Sequence, residues 1–259
     1  MTFATDDVLR IGELTFFGGA GNDGFFIDAE GFEGWEDAPD VRFEEVERPN
    51  SHGSFDALSF YGARMLTVSG LCLAKSAEEL GSYGNKLRSA LTGQIRTLVD
   101  YQGVTSYSDG RLASQVKFRT EVPGRIARYQ FSLRFPNPRR FGAFQQFASA
   151  ADGRWTAHHR GNFGASPVID ITGNCPSYTI GGPDSTEYKV NAPVSPAQPH
   201  QIDLGTGLLS IAGGVVFGKA IRADTWVIAS GQQVPHRITP DGNGDNFVDA
   251  VMTVRDTYI

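Results

Sequence analysis

Cysteine is nearly absent from this chain of 259 residues: there are two, Cys72 and Cys175, far apart in sequence. A disulfide-stapled scaffold is excluded. Both read as small buried hydrophobes in a protein folded in a reducing cytosol, with a bridge between them as the lesser alternative. Histidine is scarce as well. The five residues His52, His158, His159, His200 and His236 follow no spacing that names a metal. His158 and His159, adjacent on an extended segment, would point to opposite faces and make a poor ligand pair. Long apolar runs are missing: none approaches the roughly 18 residues that a membrane span requires, so no membrane insertion is expected. The opening "MTFATDDVLRIGELTF" has neither a basic n-region nor an apolar h-region, and no signal peptide is expected there. An excess of positive charge is missing too. Lys and Arg number 23 against 29 Asp and Glu, for a net charge of −6, which argues against a dedicated nucleic-acid binder. It leaves room for a surface that DNA slides past without sticking.

What is abundant is turn formers and aromatics: 31 glycines, 13 prolines and 18 phenylalanines, the composition of a folded, turn-rich chain. Short alternating runs such as "RMLTVSGLCLA", "QVKFRTEV" and "ARYQFSLRF", each bounded by Gly, Pro, Asn or Asp, predict strands joined by turns. One segment departs from this pattern. In "KSAEELGSYGNKLRSALTG", Ser76 and Glu79 form a capping-box signature, Leu80, Leu87 and Leu91 recur near helical spacing, and Gly93 suits the position after the last turn. A helix over about 76–92 is predicted, although Gly81 and Gly84 each cost up to about 1 kcal/mol in its interior. Beyond "RFPNPRRFG" no helix is predicted, only short strands with recurring turn signals, the pattern of an antiparallel sandwich or jelly roll. Pro136 and Pro138 cannot donate to a ladder, so regular structure must stop there. The fold class expected is mainly β: two antiparallel β-sandwich domains, 1–142 with the single α-helix and 143–259 without one.

Charge is unevenly placed. From Asp23 to Glu47 nearly every ionisable residue is acidic, including Glu36, Asp37, Glu44, Glu45 and Glu47, with Arg42 the exception. From Arg111 to Arg140 the balance reverses through Arg111, Lys117, Arg119, Arg125 and Arg128. Such runs can be solvated faces. Opposite blocks within one domain are also what head-to-tail self-association uses.

No catalytic constellation assembles from the sequence. "GNFGASPV" around Ser166 only loosely follows a nucleophile elbow. Asp241, Asn243 and Asp245 match the first ligand positions of a calcium loop, but Asn246 stands where glycine and Met252 where glutamate would be required. The segment reads as a polar loop between strands, with the calcium loop as the alternative. Trp155, Trp226 and Tyr178 could serve a sugar subsite or a core. No cofactor is expected.

The run "RPNSHGSFDALSFYGARMLTVSG", then a single helix, then a strand ending in "FSLRFPNPRRFG", resembles the N-terminal domain of siphophage distal tail proteins. The features that carry the likeness fall on Arg48, Gly53, Asp56, Gly62, Arg64, Gly70, Asn137, Pro138, Arg140 and Phe141, with Asn137 where the family usually has aspartate. "HQIDLGTGLLSIAGG" is similar to a hairpin of the C-terminal domain. The closing "MTVRDTYI" resembles the last strand of tail proteins from phages of actinobacteria, where a tryptophan is common. The likeness spans nearly the whole chain, and the order of these motifs is its substance. It implies a structural virion protein at the distal tail tip, assembled in the host cytoplasm. A homohexameric ring of N-terminal domains would join the tail tube protein to the tail-tip hub and let DNA pass, with a galectin-like domain projecting outward and other minor tail or receptor-binding proteins as further neighbours. Pro136, Pro138, Arg139 and Arg140 would form the junction between domains. Ring closure would bring the acidic residues Glu36, Asp37, Glu44, Glu45 and Glu47 of one subunit against Arg111, Lys117, Arg119, Arg125 and Arg128 of the next, and the acidic block Asp23–Glu47 is the expected source of a channel wall that does not trap phosphate. The alternatives are a carbohydrate-binding module for host adhesion in the outer domain and, less favoured, a cell-wall hydrolase.

Overall fold

The structure, a computed structural model, describes residues 3–56, 58–242 and 246–259. The chain divides into two compact units, Met1–Arg140 with Ile259, and Phe141–Tyr258. The first unit contains strands β1 (Val8–Ile11), β2 (Leu14–Phe17), β3 (Gly24–Glu33), the short β4 (Val41–Arg42), β5 (Val46–Glu47), β6 (Ser54–Phe55) and β7 (Phe60–Tyr61), then β8 (Arg64–Leu73), helix α1 (Ala77–Ala90), and β9 (Ile95–Tyr101), β10 (Val104–Leu112), β11 (Lys117–Val122) and β12 (Ile126–Phe135).

Seven of these strands run in the order β12-β8-β3-β2-β1-β9-β10, and β10 pairs back onto β12. The sheet therefore closes on itself. This corrects the sandwich expected for the first domain: it is a seven-strand barrel with extra strands. Alternating burial is the same in a sandwich and a barrel, so the sequence pattern could not separate them. Closure rests on Arg111↔Arg134 and Leu112↔Leu133, a pairing between distant segments. Neighbouring strands of the barrel are antiparallel except β2 and β3, which meet in parallel at Phe16↔Phe25 and Phe17↔Phe26.

The barrel interior follows from alternation. Along β12, Ala127, Tyr129, Phe131, Leu133 and Phe135 point inward and are fully buried. Phe16 lies against Phe25, Tyr129 and Phe131 at centroid distances of 5.0, 5.6 and 5.8 Å. Aromatic contacts of this kind add about 0.5–1.5 kcal/mol each to the area they remove from water. Helix α1 is capped as its sequence predicts: the Ser76 hydroxyl accepts from the Glu79 N–H at 3.2 Å, and the Glu79 carboxylate accepts from the Lys75 N–H at 2.7 Å. It buries Leu80, Gly84 and Leu87. Gly84 is explained by its neighbour, because a Cβ there would stand 3.1 Å from the Phe118 ring. Packing against β11 outweighs the propensity lost.

The second unit contains β13 (Arg140–Ala148), β14 (Arg154–Ala157), β15 (Val168–Asn174), β16 (Tyr178–Gly181), β17 (Glu187–Val190), β18 (His200–Asp203), β19 (Leu208–Ile211), β20 (Gly214–Val216), β21 (Ala220–Ala223), β22 (Val234–Pro240) and β23 (Phe247–Tyr258). One sheet has the order β13-β23-β15-β18-β19-β20 and the other β14-β22-β16-β17-β21. Ile169, Ile171, Ile202, Met252 and Val254 from the first, with Tyr178, Ile180, Tyr188 and Val190 from the second, form one buried core. Two polar side chains inside it bond each other. Tyr178 Oη donates to His200 Nδ1 at 2.9 Å, and His200 Nε2 lies 3.2 Å from the Pro193 carbonyl. Cys72 and Cys175 are both free and buried, one in each unit. Burial pushes the Cys72 thiol up to about 12.

Candidate assembly surface

Between β3 and β8 the chain leaves the barrel as a two-stranded arm. The Gly62 N–H donates to the Asp40 carbonyl at 2.6 Å, closing its base. Val41↔Tyr61 and Arg42↔Phe60 pair next, then Val46↔Phe55 and Glu47↔Ser54. At the tip the Arg48 N–H donates to the Gly53 carbonyl at 3.1 Å, and the Arg48 guanidinium lies 5.4 Å over the Phe55 ring.

Almost every described residue from 41 to 61 is exposed, including large apolar ones: Phe43 is 64% exposed, Leu58 82% and Phe60 61%. A two-stranded ribbon with no core of its own is marginal in water at best. Apolar surface concentrated this way marks a place where another molecule sits. The arm was not foreseen from sequence. What makes the segment an arm is that, among the described residues, its strands pair only with each other.

The root of the arm, by contrast, is firmly built. Trp35 is fully buried and meets Phe135 edge-on at 5.7 Å. Arg64, the first residue of β8, is buried with it. Its Nη1 donates to the carbonyls of Gly34, Trp35 and Asp37 at 3.0, 2.6 and 2.6 Å, and its Nε donates to the Pro138 carbonyl at 3.0 Å. Burial, and then the charge of Arg140, pulls the Arg64 guanidinium down to about 10. Gly34 permits the close approach: it has φ +95, and a Cβ on it would fall 1.9 Å from the Met65 carbonyl oxygen. Arg140 completes the root by gripping the Glu36 carboxylate with both terminal nitrogens, the second contact at 2.9 Å, while its guanidinium lies 5.7 Å over the Trp35 ring. Trp35 belongs to none of the sequence motifs described above. Its signal was available, since it is the only tryptophan before Trp155.

The ten residues expected at a subunit interface fall into two groups. Three are engaged inside the chain: Glu36 with Arg140; Asp37, whose carboxylate accepts from the Gly34 N–H at 3.0 Å; and Arg128, which bonds Glu121 and Asp28 at 2.8 Å each. The other seven are exposed and form no ion pair among the described residues: Glu44 and Glu45 between the arm strands, Glu47 on β5, Arg111 on β10, Lys117 and Arg119 on β11, and Arg125 in the following turn. Lys117 reaches only the Gln130 side-chain oxygen, at 3.1 Å. Elsewhere in the acidic block, Asp23 accepts from Tyr83 Oη at 2.8 Å, and this bond draws its carboxyl below the usual range.

The residues expected at the junction connect β12 to β13. The Asn137 side chain accepts from the Arg139 N–H at 3.2 Å, and the Arg139 carbonyl accepts from the Ser108 hydroxyl at 3.0 Å. Pro136 follows the last residue of β12, and Pro138 offers its carbonyl to Arg64.

Among the described residues no group of three or more His, Cys, Asp or Glu could hold a metal ion. Of the calcium-loop positions, Asn243 and Asp245 lie outside the described residues; the Asp241 carboxylate accepts from the Ser177 hydroxyl at 2.7 Å. Trp155, Trp226 and Tyr178 are all core, not sugar platforms. Trp226 Nε1 donates to His236 Nε2 at 3.0 Å, and Trp155 stacks on the same imidazole at 5.3 Å. His236 Nδ1 therefore carries the proton and finds no partner among the described residues. His159 is structural, accepting from the Gly161 N–H at 3.0 Å and lying 3.0 Å from the Ile228 carbonyl.

No protein-family model matches this sequence, and no curated protein matches it. Solved structures do. The chain is similar to the Dit protein of phage SPP1, described as a paradigm of the hub adsorption apparatus in phages infecting Gram-positive bacteria, with a TM-score of 0.72 at 10% identity over 98% of this chain and 99% of that one. It is also similar to a chain of the phage P2 baseplate in its activated conformation with Ca, with a TM-score of 0.50 at 9% identity over 96% and 97% of the two chains. The fold, over the full length of both units, is thus one found in phage tail hubs.

Proposed function

We propose that this chain is a structural, non-enzymatic subunit of a phage tail tip, forming a homohexameric ring between the tail tube and the tail-tip hub through which the genome passes. The observation that carries the reading is the apolar arm. A chain with the fold of a phage hub protein along its whole length carries an exposed ribbon on a rigidly built root. An element of this kind calls for a neighbour. In a cyclic ring each subunit offers two different patches, and a protruding arm with a separate receiving surface meets that requirement. The net charge of −6 suits a channel that must not hold DNA, since neutralised phosphates add affinity by counterion release. On this reading acidic or uncharged residues line the narrowest wall, the second unit faces outward, and assembly takes place in the host cytoplasm before the ring joins the distal tail.

Native mass spectrometry of the purified chain tests the reading. A particle of six times the 28.0 kDa chain mass is expected. A monomer at every protein and salt concentration would sink it. The adhesion alternative gains no support from the aromatics once weighed for it, which lie in the core of the second unit.

A further inference from the structure

We propose that the acidic strand of the arm, Asp40–Glu47, lies along the open edge of β11 in the neighbouring copy of this chain. The inference rests on the ring reading and names the two surfaces that meet. Strand β11 pairs with β12 and with no other described strand, so one row of its backbone N–H and C=O groups is left open. The arm strands β4 and β5 each pair on one side only, with β7 and β6. An open edge is a ready template for a further strand, and addition of an extended segment to a sheet edge is a common mode of recognition.

Charge selects which edges meet. On the arm, Asp40, Glu44, Glu45 and Glu47 are exposed and form no ion pair among the described residues. Around β11, Arg111, Lys117, Arg119 and Arg125 are likewise exposed with no such pair. Neither group can use Glu36 or Arg128, which are held inside the subunit. Opposite charges facing each other across a new strand pair favour one register and one partner. The apolar residues match as well: Val41, Phe43 and Val46 are exposed on the arm, and Leu112 and Val122 flank the basic edge. Two unlike patches on one chain make the contact heterologous, the type that closes a ring.

A charge-reversal series read by native mass spectrometry and light scattering at low salt tests the contact. Wild-type protein should assemble. Arg119→Glu with Arg125→Glu should weaken assembly about tenfold or more, and adding Glu44→Lys with Glu45→Lys should restore part of it. Both pairs are exposed, so the melting temperature of the monomer should not move. In parallel, mixing Glu45→Cys chains with Arg119→Cys chains under oxidising conditions should give a covalent heterodimer, with the buried Cys72 and Cys175 silent. A ring that forms equally well in every variant and gives no cross-link overturns this contact and leaves the ring reading intact. A wild-type chain that never assembles overturns both.

Discussion

Arg140 and Glu36, 104 residues apart in sequence, form a two-pronged ion pair in which the arginine side chain is only 5% exposed. Both residues lie in the first unit, and the pair ties its last segment to the one where the arm begins. Removing one partner of such a pair strands the other, and a fully buried case costs about 3–5 kcal/mol. Glu36 keeps some access to water, which softens the loss. Arg140→Ala is expected to lower unfolding stability by about 2 kcal/mol, and Glu36→Gln by about as much, because it removes the carboxylate charge that the guanidinium grips with both terminal nitrogens. A double-mutant cycle in urea checks it: the double variant should lose far less than the sum of the singles.

Arg64 raises a different expectation, because its partners are carbonyls and not a carboxylate. Arg64→Met keeps the apolar stem and deletes donors to Gly34, Trp35, Asp37 and Pro138. Buried carbonyls left unpaired cost about 1–3 kcal/mol each before relaxation, and here they all belong to the arm root and the β12–β13 connection. The barrel should remain folded while the arm loosens. Limited proteolysis should then cut within residues 40–62 many-fold faster than in wild type, and equal cutting rates would show that the arginine does not hold the root.

These arginines also show how much could be read before the fold was known. The helix was legible from Ser76, Glu79 and the leucine spacing because caps and periodicity are local. Most core residues of β8 and β12 were legible from alternation for the same reason. Barrel closure was not, since it depends on Arg111 and Leu112 finding Arg134 and Leu133 across a sheet that only tertiary structure creates. Arg64 and Arg140 were visible as motif positions, but a charged residue in a strand gives no sign of being buried until its partners are placed. The arm was hidden for the opposite reason. Its strands look like any others, and what distinguishes them is that, among the described residues, they pair only with each other.

His236 predicts acid sensitivity in the second unit. Burial lowers its pKa from the usual 6.5 to about 4, and its Nε2 is already committed to Trp226. Above pH 6.5 both folded and unfolded chains hold it neutral. As pH falls towards about 4 the unfolded chain takes up a proton that the folded one refuses, so stability drops across that window, by about 3 kcal/mol in full. His200, also lowered by burial, adds in the same direction. Urea unfolding followed by tryptophan fluorescence at pH 7 and pH 4.5 measures the slope. His236→Phe should remove the larger part of it, and an unchanged slope in that variant would assign the effect to other groups.

The arm itself can be tested by removing its apolar side chains and leaving its backbone. Phe43, Leu58 and Phe60 are exposed in the monomer, so replacing all three with serine should change monomer stability by no more than about 0.5 kcal/mol each. Buried against a neighbour, each would contribute about 1.5–3 kcal/mol, so the triple variant should lose the ring entirely. The two readouts separate the possibilities. A large fall in melting temperature would mean that the arm folds back onto its own subunit and that its exposure is not its working state. An unchanged melting temperature with an intact ring would mean that the ribbon serves some other partner. An unchanged melting temperature with loss of assembly is the outcome expected of an arm whose hydrophobic cover is the next copy of the chain.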